Sequence, residues 1–204
     1  MNNSLQEYLN FANKLADAAS ITSMQYFRTS LDIDNKSDES PVTIADKNTE
    51  LKIRSMIEKE YPDHGILGEE FDNINPNAEF IWVIDPIDGT RSYIAGHKDF
   101  GNLISLTQNK KPIIGIINCP AHDERWVGIK NQNSTLNKQF TKCSKVKKIE
   151  DAYLFTSGLY FDEPHLRNAV DKIINKVRYF RYGGDCYMYG MVASGLIDIV
   201  IEDT

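Results

Sequence analysis

Residues 80–96 read FIWVIDPIDGTRSYIAG. A run of strand-forming residues, Phe80 to Ile84, carries the chain to Asp85 and Asp88 and then to Gly89 and Thr90. Any fold of this chain must therefore accept two carboxylates three residues apart at one strand end. Pro86 fixes one backbone angle and removes a donor, so Asp-Pro-Ile-Asp-Gly is expected to leave the strand in a rigid turn and drop out of the ladder. Both carboxylates then face the same space. Carboxylates so close repel, and a shared proton or a shared cation relieves them. Hard divalent ions such as magnesium favour oxygen ligands and keep positions for water and phosphate. Gly89 lets the backbone come close to an anion, and Thr90 offers an amide and a hydroxyl at the first turn of a short helix. A plainer reading makes Asp85 a strand cap and Asp88-Gly89 an ordinary turn. The stretch GILGEE weighs against it, because a second apolar strand there ends in Glu69 and Glu70. One of those two glutamates reads as solvated charge.

The rest of the chain supplies the frame. Leu5, Tyr8, Leu9, Ala12, Leu15, Ala16, Ala19, Met24 and Phe27 recur at helical spacing, which predicts a helix over residues 1–28. The polar segment TSLDIDNKSDESP breaks it. Thr43 and Asp46 have the form of a capping box, opening a second helix that Pro62 stops. GILGEE, FIWVID, GNLISLT, PIIGIIN and RWVGI read as strands, with a hairpin turn at QNKKP and a polar loop at KNQNSTLNK. Beyond it the pattern predicts strands at 152–156, 178–182 and 197–202 alternating with helices at 164–176 and 185–194. The order implies an α/β protein with a separate second layer.

Charge and composition narrow the partners. Twenty-three basic against 29 acidic residues leave a net charge of −6, and no basic track suits nucleic acid. There is no signal segment at Met1 and no apolar run of about 18 residues, so a cytoplasmic protein away from the membrane is expected. Three cysteines without a C-x-x-C pair argue against both a disulfide framework and a zinc site. The four histidines lack ligand spacing and receive no role.

SPVTIAD, GILGEE and WVIDPIDGTRSY resemble three successive signatures of the inositol monophosphatase superfamily of metal-dependent phosphatases, and GGDCYMYGMVASGLIDIVIE resembles a later segment. DGTRSY followed by FGNLISL and ERWVG is most similar to the histidinol-phosphatase branch. The resemblance implies alternating helix and sheet layers: residues 1–140 with a large mixed sheet carrying the metal motifs, and residues 141–204 as a smaller α/β layer. It implies roughly two or three magnesium ions in a complete site. Their ligands would be Glu69, Asp85, Asp88 and the carbonyl of Ile87. Glu69, Thr90 and Asp46 would be catalytic, with Asp46 also open to the bland role of capping its own helix. The amides of Gly89 and Thr90 would hold phosphate. Asp185 would face the organic part of the substrate, where a carboxylate suits a cationic amino group, or cap a helix. Glu202 would lie near the substrate or be solvated, and Arg91 would meet substrate or a neighbouring subunit. The implied reaction is hydrolysis of a small phosphorylated metabolite by a homodimer. Histidinol phosphate, on the route to histidine, is favoured over inositol 1-phosphate. The family pattern continues past Glu202 to one more metal-binding aspartate. The second layer is therefore expected to be truncated, and a catalytically impaired binding or dimerising protein is the rival reading.

Overall fold

A computed structural model describes residues 3–30, 33–35, 41–158 and 163–202. Ser40 of SPVTIAD and the expected helical residues 1–2 lie outside the described residues. Helix α1 (Asn3–Tyr26) turns Phe11, Ala12, Leu15, Ala16 and Ala19 inward, the three- and four-residue spacing of one helix face. Within the polar break, β1 (Ile33–Asn35) and β2 (Pro41–Thr43) pair antiparallel. Helix α2 (Ile44–Glu60) opens on the expected capping box: Thr43 Oγ1 accepts from the Ala45 amide, and Asp46 Oδ2 accepts from the Thr43 amide.

A seven-stranded mixed sheet follows. Its strands are β3 (Gly65–Leu67), β4 (Phe80–Asp88), β5 (Gly101–Gln108), β6 (Lys111–Cys119), β7 (Glu124–Ile129), β8 (Thr135–Leu136) and β9 (Gln139–Phe140), in that spatial order. The β3–β4 pair is parallel and every later pair antiparallel. A short helix, α3 (Thr90–Ile94), leaves the end of β4. Asn109 and Lys110 take φ of 51° and 61° in the expected β5–β6 hairpin, the left-handed pair whose twist matches that of the strands.

Two sequence expectations fail here. The polar loop KNQNSTLNK instead holds β8 and the turn into β9, made by Asn137 and Lys138 at φ 47° and 69°. Strands of two residues are too short for an alternating pattern to show. The Asp-Pro-Ile-Asp segment does not leave the ladder either. Asp85 pairs with Leu103 and Asp88 with Gly101, so Pro86 and Ile87 together oppose Asn102 in a bulge. Asn102, fully buried, donates from Nδ2 to the Pro86 carbonyl at 2.7 Å. The strand thus keeps its course and still re-aims its two carboxylates.

The second sheet joins β10 (Tyr153–Thr156), β11 (Tyr179–Tyr182) and β12 (Ile199–Val200) in the order β11-β10-β12, all parallel. Helix α4 (Pro164–Ile174) precedes β11, and α5 (Asp185–Ala193) precedes β12. The last strand is shorter than the expected 197–202; just before it, Asp198 donates its amide to the Tyr153 carbonyl at 3.0 Å and accepts the Tyr153 amide on Oδ2 at 2.7 Å. Trp82, Ile84, Ile104, Leu106, Ile114 and Ile116 face α1 and α2, burying an apolar cluster with Ile53 and Ile57. Alternate positions Leu103 and Ile117 face the other way, where Cys119 and Trp126 pack on Cys186 and Tyr187 of α5. Gly190 permits this: a Cβ there would meet the Trp126 ring at 2.5 Å. On its far side, Met188 of α5 packs on Phe155 and Ile197. Helices, sheet, helix and sheet therefore alternate as a mixed α/β fold, and full burial of each large side chain contributes roughly 1.5–3 kcal/mol. Among the described residues no helix is long and apolar enough to cross a membrane.

Candidate metal and phosphate site

The site lies where the bulge of β4, the loop after β3, the start of α2 and the start of α5 meet. Asp85 is half-buried, with Oδ1 sealed from solvent and without a hydrogen-bond partner. Its carboxyl is held well above the usual carboxylate range by burial first, then by the charges of Glu69 and Asp88, by a hydrogen bond with the Glu69 side chain, and by Asp46. Burial likewise raises Asp88, with Asp185 and Glu69 adding to the effect. Asp88 Oδ2 accepts the Cys186 amide at 2.6 Å and so closes the first turn of α5 from 98 residues away.

Asp46 caps its own helix and also stands beside Thr90. It is almost wholly buried, and its Oδ2 accepts the Thr43 amide at 2.8 Å and the Thr43 hydroxyl at 2.6 Å. Its Oδ1 lies 3.4 Å from the Thr90 hydroxyl, which sits 3.0 Å from the Ile87 carbonyl. Burial raises the Asp46 carboxyl, the Thr43 contacts oppose this, and Glu69 adds to it. Gly89, between Asp88 and α3, stands at φ 81°, and a Cβ there would press on Asp185 at 3.0 Å.

Asp185 corrects one alternative. Gly184 occupies the cap position of α5 and Asp185 is the first residue of the helix, which has no side-chain cap bond. Its Oδ2 accepts the Ser92 hydroxyl at 2.6 Å, and it stands in the left-handed region at φ 40°. Burial raises its carboxyl; the Ser92 bond opposes that, Asp99 and Glu202 add to it, and His97 opposes it. Glu202 is half-buried and not simply solvated: its Oε1 accepts the Ser157 amide at 2.7 Å. Arg91 is exposed at the second position of α3.

The chain thus brings Glu69, Asp85, Asp88 and Asp46 into mutual electrostatic contact beside Thr90 and Gly89, with Asp185 adjoining them across Gly89. Among the described residues, no three His, Cys, Asp or Glu side chains stand close enough to hold an ion as they are. The donor set is nonetheless made of hard oxygens, and the orphan Asp85 Oδ1 is a fit for a hard cation. Sequence reasoning missed Glu50, Arg54 and Asn102, which support this site. Their side chains show only an i,i+4 helix pair and a strand polar residue in the sequence.

Comparison with known proteins agrees with the geometry. The chain is 40% identical to the bifunctional phosphatase IMPL2 of Arabidopsis thaliana over 97% of its own length and 58% of that protein's. It is 35% identical to the histidinol-phosphatase of Chlorobaculum parvum, over 95% and 76% of the two chains. A solved inositol monophosphatase of Zymomonas mobilis superposes with a TM-score of 0.88 at 39% identity, over 99% and 78%. The chain spans little more than half of the Arabidopsis relative. The model of the inositol monophosphatase family matches residues 4–204, and the chain belongs to that family.

Proposed function

We propose that this protein is a magnesium-dependent phosphomonoesterase whose favoured substrate is histidinol phosphate. The observation that carries the reading is Asp85 Oδ1, a buried acceptor without a partner among carboxylates that raise one another's protonation. A buried acceptor left unmade is costly, and a hard cation supplies what the chain does not. Glu69, Asp85, Asp88 and the Ile87 carbonyl are the groups that would hold it. Magnesium, when bound, screens phosphate charge and lowers the pKa of a nearby water.

The chain's own groups do the rest. Thr90 has its hydroxyl held by Ile87 and Asp46, so its oxygen is fixed to orient an attacking water together with Glu69. Asp46 keeps that orientation because Thr43 fixes its other oxygen. The amides of Gly89 and Thr90 serve as phosphate donors, where the left-handed turn allows close approach. Asp185, with the charges of Asp99 and Glu202 nearby, makes a negative wall. The ammonium of histidinol suits that wall, and uncharged inositol gains less from it. The named histidinol-phosphatase among the relatives supports the same choice.

Phosphate release from histidinol phosphate and from inositol 1-phosphate, with and without magnesium, tests the reading, with Asp88→Asn as background. Magnesium-dependent release is expected, with kcat/KM for histidinol phosphate higher by about tenfold, the effect of one hydrogen bond to a charged group. Release from neither substrate would sink the reading.

A further inference from the structure

Glu50 and Arg54 of α2 form an ion pair at 2.7 Å with side-chain exposures of 0% and 6%. An i,i+4 pair of this kind normally lies on a helix surface, where it contributes little. Burying it carries a desolvation cost that only well-placed hydrogen bonds offset. Here those bonds all go to one loop. Glu50 Oε2 accepts the backbone amides of both Glu69, at 2.9 Å, and Glu70, at 2.8 Å. Arg54 donates to the carbonyls of Phe71, at 2.9 Å, and Asp72, at 3.0 Å, and its guanidinium lies 5.8 Å from the centre of the Phe71 ring. The loop closes so tightly on the pair that a Cβ on Gly68 would stand 1.9 Å from Glu50 Oε1 and 2.6 Å from the Arg54 guanidinium. Residues 68–72 are thus wrapped around a buried ion pair. The residue whose amide is gripped first is the one whose side chain meets Asp85.

We propose that Glu50, with Arg54 as its counter-ion, is a positioning residue that fixes the backbone of Glu69 and so aims its carboxylate at the metal-binding space beside Asp85. The inference rests on the proposed role of Glu69 as a metal ligand. A carboxylate at position 50 is needed because one oxygen must accept two successive amides while the other faces a cation. Glutamine would turn its amide group on either the loop or Arg54.

Removing Glu50 alone leaves Arg54 buried without an anion, so the informative variant changes both residues: Glu50→Met with Arg54→Met keeps apolar volume and leaves no unpaired charge. Three measurements are made on it and on the wild type: circular dichroism, amide hydrogen exchange, and calorimetric titration with magnesium alone. In the wild type the Glu69 and Glu70 amides are expected to exchange slowly. In the folded double variant they exchange faster, and magnesium affinity falls about ten- to a hundredfold, as for other groups that orient a metal ligand. Phosphate release then needs correspondingly more magnesium. A merely structural role predicts a lower melting temperature with unchanged magnesium affinity, and affinity within twofold of wild type would overturn the proposal. So would rapid exchange of the two amides in the wild type, whether or not the variant folds. Absence of magnesium binding by the wild type itself would instead remove the functional reading beneath it.

Discussion

The two sheets differ in how completely they are closed in. In the seven-stranded sheet, Trp82, Leu106 and Ile104 are sealed under α1 and α2, and the opposite face receives α5. In the three-stranded sheet the central Leu154 is fully buried, but the neighbouring tyrosines Tyr153, Tyr179 and Tyr182 remain 38%, 50% and 49% exposed. The acidic groups divide along the same line. Asp46, Glu69, Asp85 and Asp88 are carried by α2 and by the ends of β3 and β4 in the larger layer, Asp185 and Glu202 by α5 and the end of β12. Mutually repelling carboxylates can be held together only by a frame that does not yield, and the larger sheet has that packing. A group that meets the variable part of a substrate asks less of its surroundings. On the proposed reading, the larger layer would carry the chemistry and the smaller one the recognition of the substrate's organic part.

Asp85→Asn tests the claim that the closed side stores the repulsion, and it carries the largest expected effect. On the proposed reading phosphate release should fall by at least about 100-fold, since losing even a group that only orients a metal ligand costs about 10- to 100-fold. In buffer freed of metal by a chelator, the melting temperature should rise, because a neutral amide ends the conflict with Glu69 and Asp88. A lower melting temperature under those conditions would show that the frame is not strained at the carboxylates.

A pair of packing variants sharpens the same contrast. Leu106→Ala, in the closed core, should cost about 2–5 kcal/mol in urea unfolding. Tyr179→Ser, on the exposed edge strand β11, should cost under about 1 kcal/mol. Equal costs would mean that the open sheet is covered in solution.

The sequence made local features legible and hid those that depend on distant partners. The capping box at Thr43 and Asp46 was readable because its members are three residues apart. The hairpin at Asn109-Lys110 was readable for the same reason. Pro86 signalled a turn, yet the ladder persists through a bulge, because Asn102 on the next strand holds the Pro86 carbonyl. The N-terminal turn of α5 gave no sign that Asp88 would close it, and Asp185 was open to being the cap on its own helix as well as a substrate contact. Glu50 and Arg54 were invisible as a buried pair. Their spacing is that of an ordinary surface pair, and only the path of residues 68–72 encloses them.

The smallest expected effect concerns how tightly the closed side is sealed at its edge, and His64 reports it. The ring stacks on Tyr61 at 4.7 Å and on Phe80 at 5.1 Å, and its Nδ1 accepts from Trp82 Nε1 at 3.2 Å. An accepting Nδ1 requires the neutral ring. Burial lowers the His64 pKa below its ordinary 6.5, with the charges of Asp63 and Glu79 opposing the shift. Below pH 6.5 the unfolded chain takes up a proton that the folded chain refuses until its own lower pKa is reached. Stability from this residue is therefore full above 6.5 and falls as pH drops toward the folded pKa. Melting temperatures at about pH 7.5 and about pH 5.5 should differ more in the wild type than in His64→Gln, which keeps an acceptor for Trp82 but does not titrate. Carboxylates titrate in both proteins, so the difference between the two slopes isolates His64. Equal slopes would show that water reaches the ring between Tyr61 and Phe80, and the closed side would then be open at that edge.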